Sequence, residues 1–338
     1  MTSADSEPRA GPRIGVVIPY FQRDAGLLQR ALSSVAAQEY RPAQVVVVDD
    51  GSPRAAADEI PAALYEALPA LTVIRQENQG VAAARNAALD AIAEDISAVA
   101  LLDSDDCWEP SHLRNAATAL SRGADFFFSN SRTEGESTDY FHAHSRRDVL
   151  YNSQPVEGAP GILRWTAGVS ALFGAGCAFA TATVVFRRAV MPELRFSTKF
   201  RRAGEDQLAF WELLVRSSVI MFCTRPTLVY GSAGLGTWRN ATRGSVSHLV
   251  RLADEIRLRR QVIASYPLSP DDRQLMLRAI AERRVTALYS ALHLLKLRRN
   301  TFKEVLYLFR SDPMCALSWC VDLPKLLYRR IRNVPTTP

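Results

Sequence analysis

The first 130 residues alternate short β-branched runs with amphipathic stripes, and this alternation constrains the fold more than any other feature of the chain. Ile14–Ile18 is closed by Pro19, after which Leu27, Leu28, Ala31, Leu32 and Val35 recur at the spacing of a helix that buries one face. Gln44–Val48 contains four consecutive valines, the pattern of a strand covered on both sides. Leu71–Arg75 predicts a third strand, and Val81, Ala84, Ala88, Leu89 and Ile92 a second helical stripe. Ala98–Leu102 and Ala124–Ser129 predict two more strands. Strand and helix alternating at this spacing means βαβ units, hence an α/β fold with a mostly parallel sheet flanked by helices.

Ligands of such sheets bind beyond the carboxyl ends of the strands, so the residues that follow each strand carry the chemistry. Here they are Pro19-Tyr20-Phe21, then Asp49-Asp50-Gly51-Ser52, then Asp103-Ser104-Asp105-Asp106. Gathering carboxylates on one edge raises their pKa values and costs stability unless a cation sits among them. Oxygen ligands of this kind suit Mg²⁺ or Mn²⁺, which take one or two carboxylates and complete their shell with water and substrate phosphate. Each cluster also has a plain reading, a solvated acidic turn or helix cap for the second and a type I turn for the first.

The ordered set VVIPYF, VVVVDDGS, ENQGVAAARNAAL and LLDSDDCWEP, from Ile14 to Pro110, resembles the nucleotide-binding half of family 2 glycosyltransferases, inverting enzymes of the GT-A fold. GEDQLAFW, at Gly204–Trp211, extends the resemblance to about residue 230. The resemblance implies roles. Pro19 and Tyr20 would hold the base or ribose, Asp50 would accept a hydrogen bond from the base, and Arg85 would contact base or phosphate. Asp103, Asp105 and Asp106 match the DxD region, with Asp105 on ribose or metal and Asp106 on the metal that bridges the two phosphates. Asp206 would be the general base that deprotonates the acceptor hydroxyl, with Glu205 orienting the site, whereas alone both acids would simply favour a helix N-terminus. The implied reaction moves a sugar from a nucleotide donor, a UDP-sugar first, to a hydroxyl of a glycan or lipid-linked acceptor in polysaccharide, lipopolysaccharide or other glycoconjugate synthesis. The alternative is a non-catalytic nucleotide-sugar-binding or scaffold protein of the same fold.

Competing chemistries lack their signatures. No GxGxxG follows the first strand, no GxSxG elbow occurs, and the QxxRW of processive relatives is missing. The five cysteines are few and scattered, which argues for a reducing compartment without disulfides; Cys315 and Cys320 read as core filler. His142 and His144 read as surface residues.

With 338 residues the chain has room for roughly two domains. Residues 1–12 read as a disordered tail without signal-peptide character, 13–245 as the GT-A-like domain, and 246–338 as a basic helical extension. Residues 167–186 carry no charge over twenty positions, yet their small side chains suit an acceptor-side core better than a membrane span. The Gly-rich stretch after Tyr230 reads either as a connector or as a loop whose Arg239 and Arg243 close on the pyrophosphate. Residues 251–338 hold 17 basic and 8 acidic side chains. That surplus, with Trp319, Leu326, Leu327 and Tyr328 beside Lys325, Arg329, Arg330 and Arg332, suits an interfacial helix on an anionic membrane surface; the alternative is a helical extension packed on the catalytic domain or on a second subunit. The expectation is a cytoplasmic enzyme, peripheral at the inner face of the cell membrane, with no nucleic-acid partner and its oligomeric state open.

Overall fold

A computed structural model of the chain describes residues 11–68, 70–143, 147–173, 177–201, 203–231 and 244–321. These residues cluster into two units, 1–196 with 209–234, and 197–208 with 235–338. The sequence reading placed 197–208 in the first domain, whereas its contacts group it with the helices of the second unit.

In the first unit, ten described strands form one sheet. They are β1 Ile14–Tyr20, β2 Gln44–Asp50, β3 Leu71–Gln76, β4 Ala98–Leu101, β5 Cys107–Trp108, β6 Phe126–Thr133, β7 Ser153–Pro155, β8 Ile162–Trp165, β9 Val185–Arg187 and β10 Ile220–Tyr230. The order is β3-β2-β1-β4-β9-β6-β10-β8-β7, with β5 pairing antiparallel to β10. β1 pairs parallel with β2 and β4, β2 with β3, and β6 with β10. β9 runs antiparallel between β4 and β6, so the sheet is mixed while β1, β2, β3, β4, β6 and β10 all point the same way. Their carboxyl ends therefore share one edge.

Side chains alternate across the sheet, and the two faces are packed differently. Phe127, Met221 and Cys223 join the core formed with Leu28, Leu32 and Val35 of helix Leu27–Ala36 and Leu113, Ala116 and Leu120 of helix His112–Ser121. Their strand neighbours turn the other way: Phe128 stacks on Phe222 at 5.0 Å, and Phe126 meets Phe179 at 5.4 Å and Phe210 at 6.1 Å. Truncating any one of these buried rings to Ala would cost about 3–5 kcal/mol. The uncharged 167–186 run supplies Phe173, Phe179 and β9 to this core. No described helix is long and apolar enough to cross a membrane.

The second unit is built on helices Val246–Ser265, Pro270–Lys296 and Phe302–Ser311. Ser245 and Ser269 cap the first two, their hydroxyls accepting the backbone N–H groups of His248 and Asp272, each at 3.1 Å. Pro270, Asp271 and Asp272 open the second helix and His293 and Lys296 close it, as the helix dipole favours. Leu249, Ile256, Ile280, Leu294, Leu308 and Cys315 form its core. Cys320 is exposed, so the core-filler reading holds for Cys315 alone.

Candidate active site

The register of the parallel strands brings the predicted motifs to one edge. Tyr20 pairs with Asp49 across β1 and β2, and Asp49 and Asp50 pair with Arg75 and Gln76 across β2 and β3. Just beyond β1, Gln22 ties three strand ends together. Its backbone N–H donates to the Ser52 hydroxyl oxygen at 2.9 Å, its carbonyl accepts the Ser52 hydroxyl at 2.8 Å, and its side-chain amide donates to Ser104 at 3.2 Å. Gln22 is a buried residue that the sequence reading did not single out, because one glutamine after a strand carries no pattern.

The two carboxylates that end β2 are both buried and both hold backbone. Asp49 accepts the N–H groups of Ser52 at 2.8 Å and Ala56 at 2.9 Å, and the Arg75 guanidinium at 3.0 Å. Asp50 accepts Gln76 Nε2 at 2.7 Å and Gln79 N at 2.9 Å on Oδ1, and Gly80 N at 2.7 Å on Oδ2. Asp50 thus fixes the loop that leads into helix Val81–Asp90. A carboxylate offers about four acceptor positions, so Oδ2 retains one for a ligand.

Tyr20 departs from its expected role. Its ring is 1% exposed and belongs to the core, and burial raises its hydroxyl pKa, with the Glu59 charge adding to the effect. Strand alternation is the cause: the Tyr20 side chain faces inward, while Phe21, the next residue, is half-buried just past the strand end. Pro19 is likewise buried within β1.

After β4, the chain turns through Asp103-Ser104-Asp105-Asp106, with Asp106 N donating to the Asp103 carbonyl at 3.1 Å. Arg85, on the buried face of helix Val81–Asp90, donates to Asp103 Oδ1 at 2.9 Å, and its guanidinium lies 5.3 Å from the Phe196 ring centre. Asp106 Oδ1 accepts the N–H of Gly231, at the end of β10, at 3.2 Å. Gly231 packs so closely on the turn that a Cβ would run into the Asp105 carbonyl oxygen. The neighbouring Tyr230 hydroxyl is pushed well above its ordinary pKa by burial first and the Asp106 charge second. Gly231 is a second residue that sequence alone missed, since its requirement comes from a turn 125 positions earlier in the chain.

No group of three or more His, Cys, Asp or Glu side chains among the described residues is arranged to cage a metal ion. The donors present, Asp105 and Asp106 in one turn, fit instead an oxygen-seeking divalent ion that draws its other ligands from water and a diphosphate.

Glu205 and Asp206, both half-buried, form the first turn of helix Glu205–Arg216 and belong to the second unit up to Leu208. Asp206 Oδ1 accepts the Gln207 N–H at 2.7 Å, and the helix dipole favours both negative charges there. Pro19, Tyr20, Asp50, Arg85, Asp103, Asp105 and Asp106 are thus brought to one sheet edge in the first unit. Arg239, Arg243, His144 and the 1–10 and 322–338 termini lie outside the described residues. His142 is exposed and pairs with Asp139 at 2.8 Å.

A sheet with these strand directions, carrying a DDGS turn and an acidic turn at the carboxyl ends of the two strands that flank β1, is the architecture of GT-A-type glycosyltransferases. Two solved structures share it. A mannosyltransferase from Pyrobaculum calidifontis, PcManGT, in complex with GDP-Man and Mn²⁺, aligns over 99% of this chain and 91% of its own with a TM-score of 0.54 at 18% identity. S. aureus TarS 1-349 in complex with UDP-GlcNAc aligns over 92% of both chains with a TM-score of 0.51 at 15% identity. At these identities the likeness speaks to the fold. The family model described as glycosyl transferase family 2 matches residues 15–188. The succinoglycan biosynthesis protein ExoW of Rhizobium meliloti (strain 1021) is 34% identical over 241 residues, 70% of this chain and 74% of that one. The chain belongs to glycosyl transferase family 2 and is a glycosyltransferase.

Proposed function

We propose that the enzyme transfers a sugar, with inversion, from a nucleoside-diphosphate donor to a hydroxyl of a growing polysaccharide or other glycoconjugate. The observation that carries this reading is the single edge at which Gln22 bonds Ser104, Arg85 bonds Asp103, and Asp50 holds the loop that leads into the helix of Arg85. The succinoglycan role of the 34% identical relative supports the polysaccharide context.

In this reading Asp50 offers its remaining Oδ2 position to an imide N–H of the base, and the half-buried Phe21 offers an aromatic ring. Arg85 neutralises Asp103, leaving that carboxylate held at the ribose side. Asp105 and Asp106 would hold Mn²⁺ or Mg²⁺, which supplies electrostatic stabilisation to the departing diphosphate. Asp206 takes the proton from the acceptor hydroxyl as that oxygen attacks the anomeric carbon, and Glu205 orients the sugar. A UDP-sugar is the first donor to test, supported by the UDP-GlcNAc complex of the TarS fold relative, with GDP-mannose the second. Action on a lipid-linked or glycan acceptor at the inner face of the cell membrane completes the proposal.

Asp206→Asn tests it. Release of nucleoside diphosphate should fall by at least about a thousand-fold, as befits loss of a general base, while UDP still raises the melting temperature. Turnover retained in the variant removes Asp206 from the mechanism. A wild-type protein that binds UDP-sugars yet transfers none would instead mark a non-catalytic binding protein.

A further inference from the structure

The loop that delivers Glu205 and Asp206 is anchored inside the second unit by one carboxylate. Asp254, wholly buried on helix Val246–Ser265, accepts the backbone N–H groups of Arg201 at 3.1 Å and Ala203 at 3.3 Å on Oδ2. Its Oδ1 accepts the hydroxyl of Tyr307, from helix Phe302–Ser311. Arg257, about one turn further along the same helix as Asp254, donates to the Lys199 carbonyl at 2.9 Å and to the Tyr307 oxygen at 3.5 Å. The Arg201 guanidinium covers the Tyr307 ring at 4.5 Å. Burial first, and the Asp254 carboxylate second, push the Tyr307 hydroxyl up to about 12, so it stays a donor at every working pH.

A buried carboxylate costs several kcal/mol unless it is fully hydrogen-bonded, so its placement in a helix core calls for a reason. The other buried acids of this unit face arginines: Glu255 meets Arg251 of its own helix and Arg283 of helix Pro270–Lys296, and Asp312 meets Arg260 and Arg284 from helices Val246–Ser265 and Pro270–Lys296. Asp254 instead reaches the two amides that lie three and five positions before Asp206. Those amides set the entry of the chain into the first turn of helix Glu205–Arg216, and with it the position of the Asp206 carboxylate.

We infer that Asp254 and Tyr307 are a positioning pair for the Asp206 base, acting through the Arg201 and Ala203 amides. The inference rests on the reading of Asp206 given above. It makes the carboxyl-terminal helices part of the catalytic apparatus.

The experiment compares Tyr307→Phe, Asp254→Asn, Asp254→Ala and Asp206→Asn in the full chain. The readouts are nucleoside diphosphate release from UDP-GlcNAc, UDP-glucose or GDP-mannose, whichever the wild type uses, and amide exchange over residues 199–208. A base displaced by about an ångström loses on the order of a hundred-fold in rate. Tyr307→Phe should therefore lower kcat about ten- to a hundred-fold, leave the donor KM within two-fold, and speed exchange at residues 201–203. Asp254→Asn can keep its carbonyl on the two amides and donate its NH₂ to Tyr307, so it should retain more kcat than Asp254→Ala. If Asp254→Ala fails to fold, Tyr307→Phe decides alone. Wild-type kcat in Tyr307→Phe, or a raised KM at unchanged kcat, overturns the inference while an inactive Asp206→Asn leaves the base assignment standing. An active Asp206→Asn overturns the base assignment itself.

Discussion

Replacing Gly231 by Ala tests whether the acidic turn has to be held against the end of β10. The new methyl would meet the Asp105 carbonyl oxygen and lie 3.2 Å from Arg30 Nη2. The first obstacle is backbone, so a side-chain rotation cannot relieve it and the turn must move. Overpacking of this kind costs about 1–3 kcal/mol. The Gly231 N–H to Asp106 bond, 3.2 Å long, would stretch, and a hydrogen bond to a charged acceptor contributes about 1.5–3 kcal/mol. Together these give about 2.5–6 kcal/mol, or roughly 5–25 °C in melting temperature for a unit of this size. An ångström of displacement at Asp105 and Asp106 would cost about a hundred-fold in turnover. Thermal melts with and without Mn²⁺ and UDP, beside a nucleoside diphosphate release assay, measure both effects. A variant that melts within 1 °C of wild type and turns over within two-fold would refute the claim that this contact shapes the site.

Asp50→Asn would set an NH₂ group against backbone donors of the 76–80 loop. It should cost about 1–3 kcal/mol and weaken UDP binding, which calorimetry would detect, and unchanged affinity would remove Asp50 from the nucleotide site. His112, stacked 4.4 Å from Trp108 and bonded to Thr227 at 2.8 Å, is driven by burial down to about 3. The unfolded chain protonates this histidine near 6.5, so between pH 6.5 and 3 it binds more protons than the folded one, and stability falls as acid is added, by up to about 5 kcal/mol. Urea midpoints against pH should show this loss, and His112→Gln should flatten it; an equal slope in both proteins counts against the assignment. Leu295, Leu297 and Phe302 are exposed beside the exposed Arg298, Arg299 and Lys303. At about 1 kcal/mol per cation near an anionic surface, replacing the three by Gln should abolish flotation with phosphatidylserine liposomes, and undiminished flotation would place membrane contact elsewhere.

β1 and β2 were legible because their apolar runs are buried on both faces and need no partner to be recognised, whereas β3 is a half-exposed edge strand. The expected Ile14–Ile18, Gln44–Val48 and Leu71–Arg75 appear as β1, β2 and β3 with one or two extra residues at their ends. β5 and β9, of two and three residues, are too short for a period to show, and β9 runs against its neighbours β4 and β6. The acidic motifs were legible as residue types, but not their division of labour. Asp49 is consumed by its own turn and by Arg75, Tyr20 faces the core, and Gln22 and Gly231 acquire meaning only when strands distant in sequence meet. Local pattern reports which strands end together, while the hydrogen bonds between those ends depend on the fold.

The charge of the carboxyl-terminal region shows why a sum over residues misleads. Its basic surplus suggested a surface for anions, yet Arg251 and Arg283 hold Glu255, and Arg260 and Arg284 hold the wholly buried Asp312. Arg259 is buried as well, and burial, together with neighbouring Arg283, lowers it to about 10, so it remains charged at neutral pH. Replacing such pairs by apolar side chains often leaves stability unchanged or higher, so stability alone does not account for them. Ion pairs do, however, accept fewer helix registers than leucines do. Asp254 lies next to Glu255, and Tyr307, on helix Phe302–Ser311, lies five residues before Asp312. A slip of one position in either helix would separate Asp254 from the amides that precede Asp206. The buried charges are therefore best understood as fixing helix register for that contact.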